Sequence, residues 1–301
     1  MDVVGFGGSS GDYVHVLPAA PEVRGPRSKV RISSHFVSCG GQVATALAAC
    51  SALGLRTRFL GPIGSDANGS RVRDELARRG VDVSHVIVRQ ADNQFAVILV
   101  DDRTGERMVL WDRDPRMAMR ELVVNDSMLA SARVVHVDDV DVVASIALAT
   151  FARERGAIVT SDIDGATDRT LDLIRNVTIP ILAEEVPRAM TGIADPEGAL
   201  RALRRHHPGL LCVTLGAGGA MALDGDRVVH APAFAVDAVD TTGAGDVFRA
   251  GLIYGILVGF PVERMLRFAN AAAAASCTRL GAIASVPELA DVMDVLGESQ
   301  G

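Results

Sequence analysis

Short apolar runs, set apart by stretches of helix length, constrain this chain more than any other feature. Residues 3–7, 134–137, 157–161, 178–182 and 210–215 are such runs, and 56–60 reads as a further strand. Between them, 41–53, 68–79, 142–155, 168–175 and 196–206 carry helical periodicity. Asn68 stands at the N-cap position of its helix and Gly80 at its stop. Beyond residue 243 the pattern is nearly all helix, at about 243–259, 262–279 and 287–296. Fully apolar strands joined through helices require a sheet buried on both faces, so the expectation is an α/β fold with a mostly parallel sheet.

Two stretches break the alternation. Residues 13–16 and 29–32 are extended patterns around a turn region at 18–26. Residues 95–100 and 107–111 flank a turn at 101–105 and read as a hairpin. Strands without intervening helices predict a small antiparallel subdomain. No repeat, low-complexity tract or linker interrupts the chain. It reads as one domain over 1–301, with a β lid formed by about 13–37 and 92–112 that closes over a substrate. Exposed lid edges pair readily, which points to a homodimer.

Composition removes several functions. The chain is 49% hydrophobic and 22% charged, with a net charge of −7, so it lacks the basic surface that nucleic acid or an anionic membrane requires. The longest uncharged apolar stretch, 250–262, is too short to span a bilayer, and no basic n-region opens the chain. Cys39, Cys50, Cys212 and Cys277 have neither metal nor redox spacing and read as reduced thiols of a cytoplasmic protein. Lys29 is the sole lysine, and no glycine loop precedes it. A Walker-type NTPase, a protein kinase with its strand lysine and a Schiff-base enzyme are thereby excluded. The seven histidines form no His-x-x-x-His pair, which leaves a metallohydrolase without ligands. Gly5-Phe6-Gly7-Gly8-Ser9-Ser10-Gly11 suggests a dinucleotide fingerprint, but its continuation alternates as a strand rather than opening a helix.

The chemistry concentrates in Asp240-Thr241-Thr242-Gly243-Ala244-Gly245-Asp246, which runs into a long apolar helix. Gly-Ala-Gly permits a tight turn with backbone N–H groups facing open space, and the helix adds the positive end of its dipole. That is an anion site made from backbone alone. Asp246, in the first helical turn, is no phosphate ligand; it is placed to take a proton from an attacking hydroxyl.

This heptapeptide resembles the C-terminal signature of the ribokinase-like (PfkB) carbohydrate kinase family. Further landmarks follow the family order: Gly40-Gly41 before an Ala-rich helix, Gly61-Pro62-Ile63-Gly64-Ser65-Asp66-Ala67-Asn68-Gly69, Thr214-Leu215-Gly216-Ala217-Gly218-Gly219, and the late helix at Asn270. The resemblance covers nearly the whole chain. It implies a three-layer α/β/α core with a β lid and an ATP-dependent transfer of phosphate to a hydroxyl of a small sugar or sugar derivative. Asp246 would be the general base, and the amides of Gly243, Ala244 and Gly245 would hold the developing charge. Thr214, Gly216, Gly219 and Asn270 would line the nucleotide pocket. Asp12, Gly40, Gly41, Thr45 and Asp139 would meet the acceptor. Mg²⁺ would accompany ATP, and Asp240 with Thr242 would form a site for a monovalent cation, K⁺.

The chain departs from the family pattern in three places. Thr45 stands where many relatives have asparagine. The family's Asn-x-x-Glu should fall near residues 182–186 but its spacing is not kept; Glu184 or Glu185 would substitute for it at Mg²⁺, through water. Arg249 replaces a smaller residue, either facing the substrate or compensating acidic neighbours, with the second preferred. The charged lid residues read as a solvated face, although one or two of its arginines could reach an anionic acceptor. Trp111 reads as lid core in preference to a platform for a sugar ring. Two alternatives stand beside the sugar kinase: a nucleoside kinase on the same fold, and a catalytically silent nucleotide- or sugar-binding module.

Overall fold

The apolar runs become the strands of one large sheet. The computed structural model describes residues 1–298. In chain order the strands are β1 Val3–Phe6, β2 Ser10–Leu17, β3 Ser34–Gly40, β4 Thr57–Phe59, β5 Pro62–Gly64, β6 Ile87–Arg89, β7 Phe95–Asp101, β8 Arg107–Asp112, β9 Val134–Asp138, β10 Ile158–Ile163, β11 Ile179–Leu182, β12 Leu211–Thr214, β13 Ala220–Asp224 and β14 Arg227–Ala231. The helices are α1 Gln42–Ala52, α2 Ala67–Arg78, α3 Asp126–Leu129, α4 Val142–Glu154, α5 Thr170–Asn176, α6 Glu185–Thr191, α7 Pro196–Leu203, α8 Ala244–Val258, α9 Val262–Ser276 and α10 Leu289–Leu296.

The large sheet has the order β14-β13-β12-β11-β10-β9-β1-β4. It is parallel from β12 to β4, and antiparallel only where β13 and β14 fold back on its edge. Successive residues of its central strands point to opposite faces, and both faces are covered. Val3 and Val134 pack with α1, α8, α9 and α10 on one side. Val4 and Val135 pack with α4, α5 and α7 on the other. This is the three-layer α/β/α arrangement, and it explains why these strands lack the polar alternation of a half-exposed sheet.

A second sheet has the order β3-β2-β7-β8. Here the structure corrects four expectations. The sheet is not wholly antiparallel, because β2 and β7 run parallel; the chain enters it twice from the core in the same direction. The extended pattern at 29–32 is loop, and the strand lies at Ser34–Gly40 instead. The neck fixes this register: Ser10 pairs with Gly40, which leads directly into α1. The sheet also reaches beyond 13–37, starting at Ser10 and returning at Gly40. The cap of α2 is Asp66, whose carboxylate accepts from the Gly69 N–H at 2.9 Å. Asn68 instead accepts from the Tyr13 hydroxyl at 3.0 Å, joining α2 to the small sheet.

The Asp224-Gly225-Asp226 turn between β13 and β14 carries a two-residue hairpin signal that the apolar-run reading passes over. All four cysteines are free thiols, and Cys39, Cys50 and Cys212 are buried.

Candidate active site

Parallel strands deliver their carboxyl ends to one edge of the sheet, and a single side of this edge is open. A cavity of about 1410 Å³ lies there, between the strand ends, the start of α8 and the small sheet. Gly8 after β1, Asp139 after β9, Asp164 and Gly165 after β10, Ala183 after β11 and Gly216 after β12 all border it.

The loop 240–246 forms one wall. Gly243 has φ +80°, a left-handed conformation that suits glycine, and a Cβ there would press on Ala282 and Thr45. Asp240 is buried. Its Oδ1 accepts from the Thr242 N–H at 2.8 Å and from the Thr242 hydroxyl at 2.6 Å, and its Oδ2 accepts from the Gly281 N–H at 2.8 Å. These bonds hold the turn rigid. The Ala244 N–H donates to the Thr241 carbonyl at 3.2 Å and that of Val247 to Gly243 at 2.9 Å. The N–H groups of Gly243, Gly245 and Asp246 meet no protein acceptor among the described residues. The amides available to an anion are therefore those of Gly243, Gly245 and Asp246, while the Ala244 N–H is engaged within the turn.

Asp246 borders the cavity. Burial pushes its carboxyl up to about 7, against the Arg249 guanidinium, which pulls it down. Arg249 is itself buried, with 2% of its side chain exposed; its Nη2 lies 2.5 Å from Asp162 Oδ1 and 3.1 Å from Asp164 Oδ1. Compensation of acidic neighbours is thus the arrangement observed. Arg107, on β8, reaches from the small sheet to the Thr241 hydroxyl beside the loop.

At the neck of the small sheet, Asp12 faces the cavity. It is buried, its Oδ1 accepts from the Ser10 hydroxyl at 2.7 Å, and burial pushes it up to about 6. A Cβ on Gly40 would overlap Asp12 Oδ2, so Gly40 makes room for this carboxylate without bordering the cavity itself. Gly41 and Asp139 do border it. Asp139 Oδ2 accepts from the N–H groups of Asp164 and Gly165, each at 3.0 Å, and burial raises its carboxyl.

At the other end of the cavity, Thr214, Gly216 and Gly219 form the turn between β12 and β13, and Asn270 of α9 faces it. The Asn270 Nδ2 donates to the Ala231 carbonyl at 2.8 Å and to that of Pro232 at 3.1 Å, which fixes the wall behind it.

Several expected residues stand elsewhere. Thr45 is fully buried behind Gly243 and outside the cavity, with its hydroxyl unpartnered. Glu184 is exposed near Gly216, whereas Glu185 turns toward Arg188 at 3.9 Å, away from the site. Trp111 is not lid core: it is 66% exposed and borders the cavity from above. Asp162 and Asp164 were not anticipated, while Arg107 is one of the lid charges whose arginines could reach an anionic acceptor. The signal for the first two was present in Ser161-Asp162-Ile163-Asp164-Gly165, a pair of carboxylates at the carboxyl end of an apolar strand.

The family model for pfkB family carbohydrate kinases matches residues 17–289. A Haemophilus influenzae ribokinase is 27% identical over 291 residues, covering 94% of each chain. An ATP-dependent ribose-1-phosphate kinase from Halopiger xanaduensis is 30% identical over 281 residues, 87% of each chain. A solved Agrobacterium tumefaciens protein, assigned only provisionally as a ribokinase, superposes with a TM-score of 0.92 at 25% identity, covering 98% of this chain and 97% of its own. The chain belongs to the pfkB family of carbohydrate kinases. Among the described residues, no helix is long and apolar enough to cross a membrane.

Proposed function

We propose that this enzyme transfers the γ-phosphoryl group of ATP to a hydroxyl of a small sugar or sugar derivative. The observation that carries the reading is the start of α8, where unengaged amides and the Asp246 carboxylate open together onto one cavity. The acceptor lies toward Asp12, Gly41 and Asp139, and the nucleotide toward Thr214, Gly216, Gly219 and Asn270. The acceptor O–H bond breaks as the new O–P bond forms. The proton passes to Asp246, and the bond from the γ-phosphorus to the bridging oxygen breaks to release ADP. Charge on the migrating group meets the amides of Gly243, Gly245 and Asp246. In a loose transition state the hydroxyl loses its proton late, so a carboxylate within hydrogen-bonding reach suffices as base.

Mg²⁺ keeps most of its waters and is held by one or two carboxylates together with phosphate oxygens, so an all-protein cage is not required. The exposed Glu184 near Gly216 fits that role through water, and the ion would neutralise phosphate charge. For a monovalent cation, Asp240 and Thr242 would be the ligands. Asp240 is a buried carboxylate that accepts hydrogen bonds only from Thr242 and Gly281 and pairs with no guanidinium among the described residues. A buried negative charge without a counter-charge is a fitting place for such an ion.

The test is ADP release from ATP and Mg²⁺ across a panel of sugars, sugar acids, sugar phosphates and nucleosides, in wild type and Asp246→Asn. One class of sugar should stimulate turnover. The variant should bind nucleotide normally and lose roughly 10²–10⁴-fold in kcat. Wild-type turnover retained in Asp246→Asn refutes the assigned base; no stimulation by any acceptor favours a silent binding module.

A further inference from the structure

Beneath the anion loop lies a charged cluster that the transfer step does not itself use. Asp162, the fifth residue of β10, is completely buried, and Arg249, one turn along α8 from Asp246, nearly so. The Arg249 Nη2 bridges Asp162 Oδ1 at 2.5 Å and Asp164 Oδ1 at 3.1 Å. Besides Arg249, the charged neighbours of Asp162 are Asp164 and Asp246. The guanidinium fits because residue 245 is glycine: a Cβ there would lie 2.6 Å from Arg249 Nη1. Arg249 Nε and both Asp162 oxygens lack a well-directed hydrogen-bond partner, so what holds the cluster is charge.

The cluster is costly as structure alone. A buried ion pair gives little net stability over an apolar replacement, so its presence under a proposed base asks what else it does. Resting on the kinase reading above, we propose that Arg249 is a positioning residue. Anchored by Asp162 and Asp164, it is the fixed counter-charge that keeps Asp246 a carboxylate, aimed at the acceptor. Arg249 acts through Asp246 and not on the phosphoryl group, because its Nη2 is committed to two carboxylates and only 2% of its side chain is exposed.

The charges facing Asp246 are few. Arg249 comes from its own helix, Asp162 from β10, Asp164 from the loop that follows, and Arg107 from β8. His136 on β9 and Cys212 on β12 lie behind Arg249 rather than against Asp246. Two further helices pack on α8. Of these, α1 has no charged residue, and the charges of α9 (Glu263, Arg264 and Arg267) lie in its first turns, next to the far end of α8.

The signs of two variants separate this role from a structural one. Removing the cation in Arg249→Met should raise the pH at which Asp246 titrates by about one to three pH units. Removing the neighbouring carboxylate that raises it, in Asp164→Asn, should lower it. Arg249→Lys should restore much of the wild-type value. The probe is carboxyl ¹³C NMR of aspartate-labelled enzyme, with Asp246→Asn identifying the resonance. The pH profile of kcat/KM should move in the same directions while KM for ATP holds. If Arg249→Met does not fold, Asp164→Asn, nearly isosteric and at an exposed position, decides the matter alone. An unmoved or upward titration in that variant overturns the proposal, as does a large rise in KM for ATP with an unmoved profile in Arg249→Met. The titration needs no substrate, so it stands as a test even where no sugar is phosphorylated.

Discussion

Asp12 is the clearest residue for separating the two ends of the cavity. It is buried, bonded to Ser10 and far along the chain from the nucleotide turn at Thr214 to Gly219. On the proposed reading its charge would give it a hydrogen bond to an acceptor hydroxyl worth about 1.5–3 kcal/mol. Asp12→Asn should therefore raise KM for the acceptor about 10- to 100-fold while leaving the nucleotide Kd unchanged, which steady-state kinetics and calorimetry check. Asp246 sets a second expectation. Burial holds its carboxyl up to about 7, so the base is protonated below that pH and ionised above it. Turnover should rise as pH rises through about 7, and a flat profile between about pH 6 and 8 would contradict the assignment.

Elements decide where those residues meet. The turn between β12 and β13 depends on Gly219, whose φ is +88° and whose Cβ would overlap the Ala231 carbonyl. Neither conflict can be relieved by rotating a side chain. Gly219→Ala should cost about 1–3 kcal/mol of stability and raise KM for ATP, as thermal denaturation and kinetics would show. Trp111 on β8 gives the opposite case. Because it is so exposed, Trp111→Ala should change stability by less than about 0.5 kcal/mol yet weaken acceptor binding. Legibility divides along the same line. The strands of the large sheet and the loop 240–246 could be read from sequence because each is a run of adjacent residues with one pattern. The carboxylates Asp162 and Asp164 show at the end of an apolar run, but their approach to Asp246, like that of Arg107, depends on β10 lying in mid-sheet and on β8 folding over the cavity. Trp111 was misread because an alternating strand does not say which of its faces meets an opening, and Thr45 because a helix pattern does not say which side meets the sheet.

Across the whole molecule, buried titratable groups compete in their effect on stability. Burial raises Asp12 to about 6 and Asp138 to about 8, the latter with its oxygens accepting from the Gly8 N–H at 2.5 Å and the Val140 N–H at 3.1 Å. Folded, these carboxyls hold protons that the unfolded chain releases near pH 4. Their contribution is complete below that value and drains as pH rises through about 6–8. His136 works the other way. Burial lowers it to about 3, so the unfolded chain takes a proton that the folded one refuses, and stability falls as pH drops below about 6.5. Between about pH 4 and 6 the two carboxyls outweigh the single imidazole, so melting temperature should peak near pH 4 and decline by several degrees toward about pH 8.5. Asp138→Asn should flatten the alkaline limb; an unchanged limb in that variant would remove Asp138 from the account.

Lys29 sits exposed in the loop between β2 and β3, on the small sheet that overhangs the cavity. With no second lysine in the chain, an amine-directed fluorophore reacts on the ε-nitrogen at this one place and otherwise only at the partly buried α-amine of Met1. A dye attached there would test whether the overhanging sheet moves when ligands bind, without an engineered cysteine or any change to the chain.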